Sequence, residues 1–278
     1  MRGGASTDLW SSRWRRGASR SGPASTPASA SCGGATSPAR PCTSPPAPIA
    51  GHGSLRAVHD GALTDKPPFD LAETDRLLST TRSVRRRLDL DRPVELRVVL
   101  ECIRLAVQAP SGSNRQDWRW MVVTDPTKRA EIARRYAENG TGYLTRAAQE
   151  ATDERDRRVY ENALAFTKVL HRVPVLVIPC IEGRFDGALN GVAASSYGSI
   201  LPAAWSFLLA LRSRGLGSVW TTLHLFQERE VAELLGIPDT VTQAALFPVA
   251  YTIGTDFRPA VRRPVEEITF VDTWGATP

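Results

Sequence analysis

The order of helices and strands along residues 60–278 is compatible with an α+β fold, and three segments carry this prediction. Residues 93–106 repeat apolar side chains at helical spacing, and residues 173–181 form a continuous apolar run of strand length. Such a run is typical of a central strand that is covered on both faces. Residues 194–211 read as a long, nearly all-apolar helix, which in a soluble protein is a core helix, often at a subunit interface.

The first 59 residues differ in composition from the rest of the chain. They contain seven Arg, no Lys and one acidic residue, so they account for the whole net charge of +6 and leave residues 60–278 balanced. Because they hold few large apolar residues, we expect residues 1–59 to be a disordered tail, separate from a folded domain at 60–278. Three interpretations of the tail remain open: a transit peptide, a partner- or nucleic-acid-binding arm, or an upstream extension without a fold, which we favour.

The composition gives no reason to predict a nucleic-acid or membrane partner. The folded part has no basic stripe interleaved with aromatic residues and no run of the ~18 apolar residues that a membrane span needs. The first 30 residues lack the apolar segment expected of a secretory signal. Neither the cysteines nor the histidines show metal-ligand spacing, so we expect no metal site and buried thiols in a reducing compartment, the cytoplasm. The cysteines are Cys32, Cys42, Cys102 and Cys180.

Local signals divide the folded part into elements. The predicted helices are 69–78, one opening at Asp91 and Pro93, one from Pro126 to about Ala137, 145–171, 194–211 and 227–235. The predicted strands are 120–124, 173–181, 215–222 and 241–254, the last interrupted at Pro248. We expect Asn139, Gly140 and Gly142 to break the helical pattern, residues 183–193 to form a glycine-rich loop, and Gly215 and Gly236 to end helices.

A turn of small and polar residues at 109–118 lies between an apolar helix and a strand. It reads Ala-Pro-Ser-Gly-Ser-Asn-Arg-Gln-Asp-Trp, and its small residues let the backbone approach a flat ligand closely. The order Pro-Ser-x-x-Asn-x-Gln-x-Trp resembles the signature loop of the FMN-dependent nitroreductase family, with Asp117 where that family usually has Pro. The resemblance implies that Ser111, Ser113 and Asn114 contact the flavin and that the loop belongs to a dimer interface.

Arg82-Ser83-x-Arg85 matches an Arg-Ser-x-Arg motif near the start of nitroreductase-family chains. An exposed Arg-rich helix end is the structural alternative, but the planar fork of Arg also suits the phosphate of FMN. By resemblance, Arg82 and Ser83 hold the phosphate and ribityl groups. Arg85 lies near the pyrimidine edge of the ring, where a cation stabilises the negative charge that builds up on reduction.

Two further stretches resemble the family. Gly-Leu-Gly-Ser at 215–218 is similar to a strand whose end faces the flavin, which places Thr221 and Thr222 at the ring. The Thr-Thr pair resembles the flavin dehalogenase branch more than the classical nitroreductases. A basic cluster before Pro264 is similar to one that closes on the FMN phosphate. Arg262 is our first choice for that contact and Arg263 the second, with an exposed basic turn as the alternative.

The resemblance implies an α+β, three-layer fold with a mixed, mostly antiparallel sheet of four to five strands flanked by helices, in an intertwined homodimer with FMN at the interface. The C-terminal residues 270–278 would wrap onto the partner subunit. Residues 139–172 are either an exposed helical excursion, which we favour, or a lid over the flavin, where Tyr143, Tyr160 and Phe166 could stack on ligands.

The implied function is a flavoprotein oxidoreductase that transfers hydride from NADH or NADPH through FMN to a nitroaromatic, quinone or similar small acceptor, by a ping-pong mechanism. The cofactor carries the chemistry, so no catalytic side chain is expected. One alternative is a reductive dehalogenase or flavin-fragmenting enzyme on the same fold. Another, of a different class, is a non-catalytic flavin-binding or partner-binding protein.

Overall fold

A computed structural model describes residues 68–278. The helices are α1 (Leu71–Thr80), α2 (Leu96–Ala106), α3 (Pro126–Glu150), α4 (Glu154–Thr167), α5 (Asn190–Ser213) and α6 (Glu228–Leu235). The strands are β1 (Trp118–Val123), β2 (Val175–Glu182), β3 (Leu216–Gly217), β4 (Val241–Gln243) and β5 (Phe247–Tyr251). Short 3₁₀ turns cover Gly112–Asn114, Leu170–Arg172, Leu223–Gln227 and Val265–Glu267. Cys32, Cys42 and the predicted tail lie outside the described residues.

The sheet has the order β1-β2-β5-β3, with β4 also paired to β2. Every strand pair among residues 68–278 is antiparallel, and a single parallel bridge joins Ser83 to Ser218. The predicted α+β class with a mostly antiparallel sheet is therefore confirmed. The interruption expected at Pro248 is wrong, because Pro248 pairs with Leu176 inside β5 and the strand is interrupted earlier, between β4 and β5.

Strand β2 is the centre of the domain, as its continuous apolar sequence predicted. Leu176, Ile178 and Cys180 pack into one apolar cluster with side chains of α3 and α4. Val175 and Val177 point into a second cluster with residues of α2 and α5. Each fully buried aliphatic side chain contributes about 1.5–3 kcal/mol of hydrophobic free energy, so burial on both faces fixes β2 between two helical layers.

Two predicted helix boundaries are wrong because local hydrogen bonds or packing override the sequence signal. The helix expected to open at Pro93 begins at Leu96, since the Asp89 carboxylate accepts the N–H groups of Asp91 and Arg92 and forms a turn there. Helix α3 continues through Gly140 instead of breaking there. A Cβ on Gly140 would lie 2.6 Å from the Leu223 side chain, so this glycine lets the helix pack closely.

Other segments differ from the predictions in extent. Helix α3 ends at Glu150, and the Asp153 carboxylate then caps α4. Helix α5 begins inside the segment predicted as a glycine-rich loop. The strand predicted at 215–222 is reduced to β3 and isolated bridges, while Gly215 and Gly236 end helices with φ of 73° and 71°, as predicted.

Helix α5 is long and apolar enough to cross a membrane on length and composition, a test that core helices of soluble proteins also pass. It contacts α1, α2, β2 and β3, and Pro202 lies inside it without ending it.

Cys102 and Cys180 are free thiols with no exposed surface. Their burial agrees with the prediction, and it raises the pKa of Cys102 to about 11 and that of Cys180 to about 12.

Candidate functional site

A cavity of about 500 Å³ opens between the segment that follows α1, the sheet end at β3, helices α4 and α5, and residues 257–262. Its lining contains five arginines and, within the described part of the chain, no carboxylate. The arginines are Arg82, Arg85, Arg155, Arg212 and Arg262. None of them lies within ion-pair distance of an acidic side chain in residues 68–278, so the cavity carries a concentrated positive charge. Such a site favours an anionic ligand.

The motif at 82–85 is held against the sheet end by its backbone. The Val84 N–H donates to the Ser218 carbonyl at 2.8 Å, and the Val84 side chain is buried in the core. Ser83 and Arg85, on either side of Val84, both line the cavity. Arg82 donates through Nη1 to the Arg258 carbonyl at 2.6 Å, which ties the motif to the C-terminal segment. The structure thus brings Arg82, Ser83 and Arg85 together with Arg262, which lies 177 residues later in sequence.

Three polar atoms of the cavity lining are buried without a protein partner among the described residues: Arg85 Nε, Arg212 Nε and Ser218 Oγ. Burial lowers the pKa of the Arg85 guanidinium, which still remains charged at neutral pH. Because leaving a buried polar group unpaired costs about 1–3 kcal/mol, these atoms are candidate contacts for a polar ligand. Leu216 and Trp220 supply apolar surface beside them.

Sequence reasoning missed two of the five arginines. Arg212 directly follows the predicted helix 194–211 and was not among the predicted site residues, yet it donates to the Thr255 carbonyl at 2.8 Å and its guanidinium lies 4.7 Å from the Phe257 ring centroid. Arg155 belongs to a charged run that we interpreted as an exposed helix. It donates to the Val261 carbonyl at 3.0 Å. Neither has a local sequence signal, because their partners lie 43 and 106 residues away.

Thr221 and Thr222 do not line the cavity; Ser218 and Trp220 do. Thr221 is buried, its N–H donates to the Leu246 carbonyl at 3.3 Å, and its hydroxyl donates to the Tyr136 hydroxyl at 3.2 Å. Thr222 is exposed. Their contact with a flavin stays a prediction.

The signature loop lies on α5, away from its own chain's cavity. The Gly112 N–H donates to Ser199 Oγ at 2.8 Å, and Trp118 Nε1 donates to the Ser199 carbonyl at 2.7 Å. Ser113 and Asn114 both adopt φ of 53°, a left-handed conformation that costs non-glycine residues free energy and that clusters at functional sites. One chain therefore does not unite Ser111, Ser113 and Asn114 with the arginines.

Part of the predicted lid faces the cavity. Val159 and Asn162 of α4 belong to its lining, and Tyr143 meets Tyr160 edge to face at 6.4 Å. Phe166 is buried in the core, so the expectation that it stacks on a ligand is wrong.

The model of the nitroreductase family matches residues 78–251. The chain belongs to the nitroreductase family. NADH dehydrogenase of Thermus thermophilus is 31% identical over 203 residues, covering 67% of this chain and 90% of that protein. Iodotyrosine deiodinase of Thermotoga neapolitana is 28% identical over 174 residues, covering 63% and 86%.

Solved structures agree on the fold. Oxidised iodotyrosine deiodinase, bound to FMN and 3-iodo-L-tyrosine, matches with a TM-score of 0.53 and 24% identity, over 68% of this chain and 94% of that one. Nitroreductase A of Vibrio parahaemolyticus matches with a TM-score of 0.55 and 17% identity, over 74% and 77%. The match to the family model confirms the predicted family. With the oxidoreductases among the relatives, it also confirms the predicted class of enzyme, a flavin oxidoreductase.

Proposed function

We propose that this nitroreductase-family protein binds FMN in the arginine-lined cavity and transfers electrons from NAD(P)H to a small conjugated acceptor such as a nitroaromatic or quinone. The observation that carries the proposal is the cavity itself: five guanidinium groups and no carboxylate surround about 500 Å³. This volume lies within the range of about 300–1,000 Å³ that is usual for cofactor and ligand sites.

The residues present fit FMN. Arg82, Ser83 and Arg262 would hold the phosphate and ribityl groups, because Arg forms paired, charge-assisted hydrogen bonds with phosphate. Arg85 and Ser218 offer the unpaired buried donors that the polar edge of the ring requires, and Trp220 and Leu216 offer apolar surface. When bound, FMN supplies two-electron redox chemistry that no side chain can supply, in two half-reactions of a ping-pong cycle.

The protein's own contribution is binding and electrostatics. The fixed charge of Arg85, in a partly desolvated position, favours the anionic form of a bound ring. The surrounding arginines raise the local concentration of anionic ligands. No general acid or base is assigned, since none is needed for transfer through the cofactor.

We further propose that a second copy of the chain completes the site with its signature loop. Two observations support this. Ser111, Ser113 and Asn114 lie outside their own chain's cavity. Helix α5 and the residue before it also expose large apolar side chains, an unusual property for a core helix, and their burial in a homodimer would remove this surface from water. These side chains are Leu189, Val192, Tyr197 and Trp205.

Reductive dehalogenation is the second candidate, favoured by the similarity to iodotyrosine deiodinases of Thermotoga neapolitana and rat. On α3 and α4 we identify no set of side chains that would bind both the ammonium and the carboxylate group of an amino acid. Glu138 there pairs with Arg134 and also accepts from Gln227.

Reoxidation of the reduced protein separates these candidates. The protein is reconstituted with FMN, reduced anaerobically and mixed with either a nitroaromatic or 3-iodotyrosine, while the flavin absorbance is followed. The proposal predicts a reoxidation rate that grows with nitroaromatic concentration and not with iodotyrosine. The reverse pattern would establish the dehalogenase, and no response to either would refute both.

A further inference from the structure

Helix α4 presents a face to the cavity that the proposed FMN contacts do not use. Arg155, Val159 and Asn162 follow one another at i, i+4 and i+7, the spacing that places side chains on one face of a helix, and all three line the cavity. Arg155 is exposed and lies in the first turn of α4, where its guanidinium donates to the Val261 carbonyl at 3.0 Å. It keeps most of its five donors available for a ligand.

The number of cations exceeds what FMN needs. Its phosphate carries about two negative charges and its reduced ring one more. Arg82, Arg262 and Arg85 suffice for these. Arg212 donates to two neutral oxygens, Thr80 Oγ1 and the Thr255 carbonyl. Arg155 and Arg212 are therefore both without an assigned anion, and Arg155 is the one that lies on α4.

The acidic side chains beside Arg155 do not neutralise it. Asp153 caps α4 by accepting the N–H groups of Arg155 and Asp156 at 2.7 and 3.1 Å. Glu154 lies 3.8 Å from Arg158, the following turn's arginine. The Arg155 guanidinium therefore lines the cavity with a hydrogen bond to one backbone carbonyl, and no carboxylate in residues 68–278 pairs with it.

A second, smaller cavity of about 180 Å³ adjoins this face. It shares Ser83, Val84, Arg85, Asn162 and Phe257 with the larger cavity and adds Arg86 and Arg87 to the lining. Of the two added arginines, Arg87 is paired with Asp256 at 2.6 Å. Asn162 thus stands where the two cavities meet, with an amide that can donate to a carboxylate or phosphate oxygen.

We propose that Arg155 and Asn162 form an anion subsite that binds a carboxylate or phosphate group on the second ligand of the enzyme, and so select for acidic acceptors or for NADPH. The inference rests on the proposed function, because that function supplies the second ligand. The shared chemistry is a negatively charged group bound by a guanidinium and an amide. Its source is either the acceptor or the 2′-phosphate of the hydride donor.

Matched ligand pairs test the subsite and identify the source. The acceptors 4-nitrobenzoate and 4-nitrobenzyl alcohol differ in charge and little in shape, and NADPH and NADH differ by one phosphate. Values of kcat/KM are measured for the full chain and for Arg155→Ala and Asn162→Asp. Arg157→Ala is the control, since Arg157 is exposed on the same helix and does not line either cavity. The dissociation constant of FMN is measured for each variant by flavin fluorescence.

We expect Arg155→Ala to lower the preference for the charged member of one pair by about tenfold, the factor that a charge-assisted hydrogen bond commonly supplies. Asn162→Asp lowers the same preference by charge repulsion, and Arg157→Ala does not. FMN affinity changes by less than about twofold in all three. Unchanged preferences in both pairs overturn the subsite. A tenfold loss of FMN affinity in Arg155→Ala with unchanged preferences instead assigns Arg155 to the cofactor phosphate.

A binding measurement keeps this test separate from the proposed function. Calorimetric titration with 4-nitrobenzoate and with NADP⁺ is run on the protein as purified and on Arg155→Ala. If the protein neither binds FMN nor turns over, the proposed function fails. The subsite still stands if wild type binds one of the two probes and Arg155→Ala binds it about tenfold more weakly. Equal binding by both proteins, or binding by neither, overturns it.

Discussion

The buried hydroxyl of Thr221 donates a hydrogen bond to the buried hydroxyl of Tyr136 at 3.2 Å. This bond joins the end of the segment after β3, which borders the cavity, to the middle of α3. Burial raises the pKa of Tyr136, so the phenol stays neutral and remains an acceptor for Thr221. Helix α3 thereby fixes the side chain of a residue that the sequence placed at the flavin ring.

A double-mutant cycle measures this bond. Tyr136→Phe and Thr221→Val should each lower the free energy of unfolding by about 1 kcal/mol, because each leaves one buried hydroxyl unpaired. The double variant should cost clearly less than the sum of the two, since neither hydroxyl then remains. The measurement is urea unfolding. Strict additivity would show that the two hydroxyls do not interact in solution.

Neighbouring arginines in the C-terminal segment allow a matched test of the phosphate assignment. Arg82→Ala and Arg262→Ala should each raise the dissociation constant of FMN by about tenfold, because each removes a charge-assisted contact. Arg263→Ala is the control, since Arg263 is exposed and outside the cavity lining. Fluorescence titration of the apoprotein with FMN reads the result. Full flavin occupancy of the first two variants, or an equal loss in the third, would contradict the assignment.

His224 should make stability depend on pH. It has no exposed surface, neither ring nitrogen has a partner among residues 68–278, and burial lowers its pKa to about 3 from an ordinary 6.5. Below about pH 6.5 the unfolded chain binds a proton that the native imidazole does not, so stability falls as the pH decreases toward 3. The loss from this group amounts to about 2 kcal/mol between pH 7.5 and pH 5.

The variant His224→Leu isolates that contribution, because all other groups titrate alike in both proteins. Unfolding free energies from urea titrations at pH 7.5, 6.5 and 5 (values chosen to bracket the ordinary His pKa) should fall less steeply in the variant. Parallel curves for the two proteins would mean that the imidazole is hydrated or paired in the native state.

Two glycines of α3 should respond differently to the same substitution. Gly142 is exposed and a Cβ there meets nothing within 4 Å, so Gly142→Ala should stabilise the protein by about 0.5–1 kcal/mol through helix propensity. At Gly140 the added methyl would lie 2.6 Å from Leu223 Cδ1, so the gain should be offset by displacement of that side chain. Thermal unfolding compares the two; equal stabilisation would contradict the close packing of α3 on Leu223.

The sequence predicted the existence of most elements because their signals are local. The apolar run of β2 and the caps at Asp125 and Gly236 are properties of neighbouring residues. Predictions were wrong where contacts between distant residues decide the structure. Gly140 is typical of a helix break in the sequence, but in the fold it lies inside α3 and packs closely on Leu223. The arginine-rich motif at 82–85 was found by resemblance, whereas Arg155 and Arg212 reach the cavity only through tertiary structure.

Distant contacts also limit how much of the candidate site the sequence could predict. The loop at 111–114 carries the family signature, yet its position on α5 gives it no contact with the arginines of its own chain. A linear pattern can identify both groups of residues, but only the fold shows that one chain keeps them apart, which is the basis of the proposed second subunit.

The central claim, that the arginine-lined cavity holds a redox-active flavin, is tested most directly by a visible spectrum of the purified full-length protein. NADPH or NADH is then added without oxygen. The account predicts a yellow protein whose flavin bands bleach on addition of one of the two. A colourless protein that cannot be reconstituted with FMN would contradict it.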